Sequence, residues 1–297
     1  MRNSLIFSLL AISAIATHVD ASAQTDSAHS LNVMSFNLRY NNPEDGVNAW
    51  PRRKELVANT LRFHHADLIG VQEVLHGQLE DLSQMLPEFK WLGVGRDDGK
   101  TQGEYSAILY RHARFELLEQ GNFWLSENPQ QAGSVGWDAA ITRIVTWAKF
   151  RDLHSGETFY HFNTHFDHMG QKAREESAKL LRARIAQIPT KFQVIVTGDF
   201  NAEETSAVYR TITEEPAAQG KTTQLRTLKN TRDISALPHH GPLWTFHGFG
   251  KAQPRTRIDY IFVSEGVRVL RHAAIYDFGE EHYPSDHLPV LAEVLLE

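Results

Sequence analysis

The sequence predicts an α/β protein in which packed β-sheets form the middle of one domain and helices flank them. Three observations carry this. Many short apolar or alternating runs read as strands, whereas only a few segments have helical periodicity. Several of the strands end on a polar residue. Between residues 31 and 297 the chain shows no repeat of solenoid period and no composition break that would divide it.

The elements follow in order. Leu31–Asn37 alternates into a strand that ends on Asn37, with Arg39 just beyond, and Asn41–Asn48 is a loop containing Pro43 and Gly46. Trp50-Pro51 opens a helix, since proline suits a first turn and Leu56, Val57, Thr60 and Leu61 recur at helical spacing. Asp67–Gln72 is a second buried strand that delivers Glu73, and Gly77–Leu86 is helical up to Pro87. Phe89–Val94 and Tyr105–Tyr110 are strands around the glycine-rich loop Gly95–Gly103. Phe115–Leu125 is another strand, followed by a loop over Glu127–Gly136. Ile141–Phe150 reads as a strand containing Arg143, and Thr158–Asn163 as one leading into Thr164, His165, Phe166, Asp167 and His168. Gln171–Ile188 is an amphipathic helix with Ala173, Ala178, Leu181 and Ile185 inward.

Gln193–Asp199 is a strand buried on both faces, and its end reads Gly198-Asp199-Phe200-Asn201. Asp199 and Asn201 are two residues apart, so an extended chain would put them on one face. A carboxylate at the end of a buried strand needs a cation, a donor or water. Thr205–Thr213 is helical, and Glu214–Pro254 is mostly loop. Arg257–Val263, Val267–Tyr276 and Leu288–Leu296 are the last strands.

The 297 residues, 41% hydrophobic and 22% charged, are those of a globular protein with a substantial core. The net charge of −6 argues against a broad basic nucleic-acid footprint. With no cysteine, thiolate metal sites, thiol nucleophiles and disulfides are excluded, and any metal must sit among carboxylates, amides or imidazoles. Such donors favour hard ions. Arg2, the apolar run Leu5–Ala16 and Ala21-Ser22-Ala23 have the pattern of a secretory leader. Cleavage after Ala23 and export (periplasmic or secreted) are expected, leaving a polar lead-in at 24–30 and one domain at 31–297. No segment is apolar for long enough to span a membrane.

Asn37, Glu73, His165, Asp199, Asn201, Asp259, Asp286 and His287 all fall at strand ends. Alone, each has an ordinary reading as a turn former, a cap, a surface carboxylate or a structural histidine. Their order does not. A strand ending in Asn37, one ending Gln72-Glu73, one entering Thr164-His165, then Gly198–Asn201, Arg257–Phe262 and Ser285-Asp286-His287-Leu288-Pro289 resembles the endonuclease/exonuclease/phosphatase superfamily over residues 31–297. The resemblance implies a deoxyribonuclease-I-like, four-layered α/β sandwich with two mixed sheets face to face and helices outside.

It also implies roles. Glu73, with Asn37 and Asp286, would hold magnesium, or manganese in its place, to offset charge developing on a phosphate. Asp199 would orient or deprotonate the attacking water, and Asn201 would donate to a phosphate oxygen. Asp259 would sit beside His287, which acts either as base or as cationic donor. His165 would face the phosphate, oriented by Glu104, with Arg143 and Arg39 as further phosphate contacts. Asp167 and His168 would add a metal ligand or shape the pocket. Abasic-site endonucleases have an acid where this chain has Arg39; secreted deoxyribonucleases resemble it there. That difference weakens a repair role and favours a single essential ion.

The implied reaction is hydrolysis of a phosphate ester. Basic residues are dispersed, which is poor for tracking a duplex. Trp124, Trp137, Trp244, Phe246 and Phe249, with His239, His240 and His247, are expected on site-facing loops, where aromatics suit a sugar, base or lipid headgroup. A small, lipid, sugar or nucleotide phosphate ester is therefore the expected substrate, with DNA or RNA the alternative. A non-catalytic binding module would be expected to lack at least one of Glu73, Asp199, Asn201 and His287, and all four are present.

Overall fold

Apolar side chains leave both faces of most strands, and the chain buries them by stacking four layers. The computed structural model describes residues 29–214, 226–279 and 282–297, so the leader read at 1–23 lies outside the described residues. One sheet contains β1 (Leu31–Asn37), β2 (Leu68–Val74), β3 (Phe89–Leu92), β4 (Tyr105–Arg111), β11 (Val267–Ala274) and β12 (Val290–Leu296), in the order β11-β12-β1-β2-β4-β3. The other contains β5 (Phe115–Trp124), β6 (Ile144–Asp152), β7 (Thr158–His165), β8 (Gln193–Asp199), β9 (Leu228–Asn230) and β10 (Asp259–Ser264), in the order β5-β6-β7-β8-β10-β9. Each sheet is mixed: β1 and β2 run parallel in the first and β7 and β8 in the second, with antiparallel neighbours.

Between the sheets lie Val33, Leu68, Ile108, Phe150, Phe159, Ile195, Ile261 and Val290, all buried. Helices α1 (Trp50–Phe63) and α2 (His76–Met85) cover the first sheet through Val57, Leu61, Leu79 and Leu82. Helices α3 (Gln171–Ile185) and α4 (Ala207–Thr213) cover the second through Ala178, Leu181, Val208 and Ile212. This is the expected sandwich. The α4 start is capped by Ser206, whose hydroxyl accepts from the Tyr209 amide at 3.1 Å. For α3 the cap comes from a distant loop: Asp138 accepts from the Ala173 amide at 2.6 Å.

Four differences from the expected elements exceed two residues or change the kind of element. The loop at 41–48 contains a 3-10 turn, Pro43–Asn48, begun by Asn42 accepting from the Glu44 amide at 3.1 Å. The strand expected from Ile141 begins at Ile144, the helix expected to reach Ile188 ends at Ile185, and the segment read as loop contributes the short β9. No helix among the described residues is long and apolar enough to cross a membrane.

Candidate active site

The two central parallel pairs bring their ends to the same place. β1 and β2 deliver Asn37 and Glu73 from one sheet, while β7 and β8 deliver His165 and Asp199, paired in register, from the other. β10 places Asp259 opposite Asp199, and the segment before β12 brings Asp286 and His287. The result is a cleft of about 690 Å³ lined by Arg39, Glu73, Glu104, Arg143, His165, Asp199, Asn201, Asp286 and His287, among others. Asn37 and Asp259 lie beneath it.

Three of the lining residues have left-handed backbone: Arg39 (φ 54°), Glu73 (φ 59°) and Asn201 (φ 46°). For residues with a Cβ this conformation is uncommon and is held by the surroundings. Glu73 sits where the β2–β4 register slips between Val71 and Val74, which turns its carboxylate into the cleft.

Asn37 ties the halves together. Its amide nitrogen donates to Glu73 Oε1 and to Asp199 Oδ2, both at 3.0 Å, while its oxygen accepts from the Arg39 amide at 2.9 Å. Besides the expected metal contact, for which its oxygen keeps a second lone pair, Asn37 bridges two carboxylates through its nitrogen. Asp199 Oδ1 accepts from the Asn201 amide at 3.0 Å, and the Asn201 side chain donates to the Phe166 carbonyl at 3.0 Å and to His165 Nε2 at 3.1 Å.

The two histidines are buried alike and behave oppositely. His165 is held well below the usual imidazole range by burial, reinforced by Arg143 and Arg96, and its Nδ1 has no partner. Burial also works against a charge on His287. There, however, Asp259 Oδ2 accepts from Nδ1 at 2.8 Å, and with Asp199 and Asp286 it raises the imidazole well above its ordinary value. Burial, then the charge of Asp259, pushes the Asp199 carboxyl up to about 7, against the pull of His287, Asn201 and Asn37.

Glu73, Asp199 and His287 offer ligand atoms within 4.8 Å of one another. A cationic imidazole cannot ligate, so the acceptors that fit a hard ion are carboxylates. Glu73 and Asp286 already share a cation, since the Arg39 guanidinium lies 3.8 Å from one and 4.0 Å from the other. Burial and the charge of Glu73 raise the Asp286 carboxyl. These groups suit a divalent ion with oxygen ligands.

Other expectations are corrected. Glu104 does not orient His165: both of its oxygens accept from Arg96, at 2.7 and 2.9 Å. Asp167 is no ligand either, because its carboxylate accepts from the amides of Ala140, Met169 and Gly170 and pairs with Arg143 at 3.3 Å. It shapes the loop, and it aims Arg143, whose Nη2 reaches His168 at 2.9 Å while Nη1 is buried without a partner beside the cleft. Arg39 does line the cleft, held by Asp45 at 3.1 and 3.2 Å.

Of the aromatic loop residues only Phe246 faces the cleft, its ring 4.9 Å from His287. Trp124 donates to the Arg96 carbonyl at 2.6 Å, Trp244 stacks under Arg255, and His239 bonds to His272. Reading by sequence missed Tyr40, Glu203, Thr256 and Ile258 in the cleft wall. It also missed Arg53, which is fully buried and donates to the carbonyls of Leu38, Arg39, Asn48 and Pro284, fixing the chain on both sides of the carboxylates. Its one signal was a cation on the apolar side of α1.

The family model described as endonuclease/exonuclease/phosphatase matches residues 34–287. The chain belongs to this family. A Bacteroides vulgatus endonuclease/exonuclease/phosphatase is 42% identical with a TM-score of 0.83, covering 90% of this chain and 99% of that one. The mannosyl-6-phosphatase of Bacteroides thetaiotaomicron is 36% identical with a TM-score of 0.80, covering 89% and 99%. The yeast Ccr4 3'-5'-exoribonuclease subunit is 22% identical over 82% of this chain but only 35% of its own length. The chain spans less than half the length of the curated relatives it matches. Family members are hydrolases of phosphoesters that generally use a divalent metal, and the cluster at Glu73 is consistent with one.

Proposed function

We propose that the protein is a magnesium-dependent phosphoesterase acting on a small, hydroxyl-rich phosphate ester such as a sugar phosphate. One observation carries the choice of a small substrate. Two arginines and the cationic His287 face five carboxylates in the cleft lining, and each arginine already has its own carboxylate partner. That charge pattern can receive one phosphate with a metal. It offers no row of free cations for a polynucleotide backbone, whose binding depends on several phosphate contacts. Glu203 in the wall would repel flanking phosphates and accept from hydroxyls. The similarity to a mannosyl-6-phosphatase supports the same reading.

Glu73 and Asp286 would hold the ion, which when bound neutralises charge on a phosphate oxygen. Asp199, with a carboxyl near 7, suits the role of base toward the attacking water. The unpaired Arg143 Nη1 would donate to a phosphate oxygen, and the Asn201 side chain would do so by exchanging its bond to His165 Nε2 for one to the phosphate. His287, held positive by Asp259, would act as a cationic donor rather than as a base. The water oxygen would bond to phosphorus as its proton passes to Asp199, the ester P–O bond would break, and the departing oxygen would take a proton from solvent and leave as the alcohol. The leader pattern at residues 1–23 supports work outside the cytoplasm.

The test is a panel of mannose 6-phosphate, other hexose phosphates, p-nitrophenyl phosphate, bis-p-nitrophenyl phosphate, RNA and DNA, with magnesium, manganese or EDTA. Hydrolysis of a sugar phosphate above the nucleic acids is expected. Preference for RNA or DNA would replace the small-ester reading with a nuclease, and undiminished activity in EDTA would remove the metal from it.

A further inference from the structure

The site is divided between two sheets whose shared layer is mostly apolar. Apolar packing is non-directional, so by itself it specifies the relative slide of the sheets only loosely. One rung below the cleft, the apolar layer is interrupted by Gly70 and Gln72 from one sheet and His161, Asn163 and Thr197 from the other, all buried. Asn163 and Thr197 lie two residues before His165 and Asp199, and the two pairs are in register on β7 and β8. They therefore share a face with the site residues directly above them.

Asn163 is satisfied on every side. Its nitrogen crosses between the sheets to donate to the carbonyls of Val71 and Ala107, both at 2.8 Å. Its oxygen accepts from Gln72 Nε2 at 2.7 Å and from the Thr197 hydroxyl at 3.0 Å. Thr197 in turn accepts from His161 Nε2 at 2.8 Å. The approach is too close for any side chain at residue 70: a Cβ there would stand 2.0 Å from Thr197 Oγ1 and 2.4 Å from Asn163 Oδ1. The bonds that cross between the sheets are those of the Asn163 amide. The Thr197 hydroxyl bonds within its own sheet, holds that amide in its orientation and packs against the bare Cα of Gly70. Together they form a directional bolt. Of its partners, Val71 and Gln72 immediately precede Glu73.

We propose that Thr197 and Asn163 are positioning residues that set the register of the two sheets, and through it the distance between Glu73 on one and Asp199 and His165 on the other. Neither touches the cleft. Their effect passes through Asn37, whose amide must reach Glu73 and Asp199 at once. Losing the bolt would let the halves shift by tenths of an ångström without unfolding the sandwich. Misplacement on the ångström scale is enough to cost a catalytic constellation much of its rate.

This rests on the phosphoesterase reading for its main assay, which compares Thr197→Val with Thr197→Ser. Valine keeps the volume and loses the hydroxyl; serine keeps the hydroxyl and loses a methyl. The proposal expects Thr197→Val to lower kcat at least 10-fold with KM within threefold, and Thr197→Ser to stay within threefold of wild type, both measured at a temperature where circular dichroism shows full folding. A purely packing role predicts the reverse order, and wild-type kcat in a folded Thr197→Val would overturn the proposal. If that variant fails to fold, Gln72→Met, which removes one donor to Asn163, should lower kcat at least threefold, and no change in it would likewise count against the idea. If wild type turns over no phosphate ester, the functional reading fails and the bolt is read from Mn²⁺ affinity by electron paramagnetic resonance. Thr197→Val should then weaken affinity at least fivefold, and equal affinity would overturn it.

Discussion

Asp259→Asn tests the electrostatics of the site most directly, because the site contains its own control. His165 and His287 are both buried, and only His287 has a carboxylate on Nδ1, at 2.8 Å. A neighbouring opposite charge shifts a pKa by 1–3 units, worth about 1.4–4 kcal/mol between the two protonation states. Without it, burial should drive His287 toward the neutral state of His165. Loss of one cationic donor to the phosphate then costs roughly 100–1,000-fold in kcat. The deficit should widen from pH 5.5 to pH 8, as the weakened imidazole deprotonates. For stability the sign is set by a raised imidazole: the contribution of the pair is full below the unfolded value near 6.5 and is lost as pH rises through the folded one. Asp259→Asn should therefore be destabilising at pH 6 and less so at high pH. The assay is kcat against pH on p-nitrophenyl phosphate, with urea unfolding at pH 6 and 9. A variant within threefold of wild type, or a deficit constant across pH, would refute the reasoning.

Other outcomes follow from the same contacts. Magnesium should raise Tm by relieving the Glu73–Asp286 repulsion, and Glu73→Gln should abolish most of that rise in differential scanning fluorimetry; an equal rise in the variant would place the ion elsewhere. Arg53→Met leaves the carbonyls of Leu38, Arg39, Asn48 and Pro284 without their buried donor and should cost about 3 kcal/mol or more in urea unfolding, with a loss under about 1 kcal/mol arguing that water replaces the guanidinium. Burial first, then Arg257 and His239, pushes His272 down to about 2, so between that value and 6.5 the unfolded chain binds a proton that the folded one does not. Stability should fall with falling pH by about 1.4 kcal/mol per unit from this group alone, and His272→Gln should remove that slope from the difference between the two proteins. Export predicts a mature N-terminus at Gln24, which Edman sequencing of secreted or periplasmic protein would check; an intact Met1 there would contradict cleavage.

Much of the layer structure was legible because strands buried on both faces have a plain signature. Val194–Val196 reads as an interior strand that delivers Asp199 at its end, whereas Asn201 lies past the strand in a left-handed turn that alternation does not foresee. Alternation also leaves out the partner across the gap. Nothing in the sequence around Asn37 says that its oxygen accepts from the Arg39 amide, because a left-handed turn at residue 39 makes that contact. Glu104 was found but misassigned, since Arg96 comes from the far side of a glycine-rich loop whose path has no periodicity to read. The aromatic loops misled for a related reason. Trp124 is anchored by its bond to the Arg96 carbonyl and Trp244 lies under Arg255, and composition cannot tell a wall of the cleft from its backing.

The division of the site between sheets also explains why its polar residues look unremarkable one by one. Asn163 and Gln72 have the appearance of isolated polar residues in apolar strands, which on either strand alone would be a defect costing a few kcal/mol if left unpaired. Only when the strands are stacked does each become the other's partner. An apolar layer could hold the sheets together without them, so stability alone gives no reason for a polar cluster with a glycine cut to fit it. Two sheets that must present Glu73 and Asp199 to one phosphate need a fixed register as well as adhesion. A directional polar contact placed one rung below the chemistry provides that register where an error would matter most.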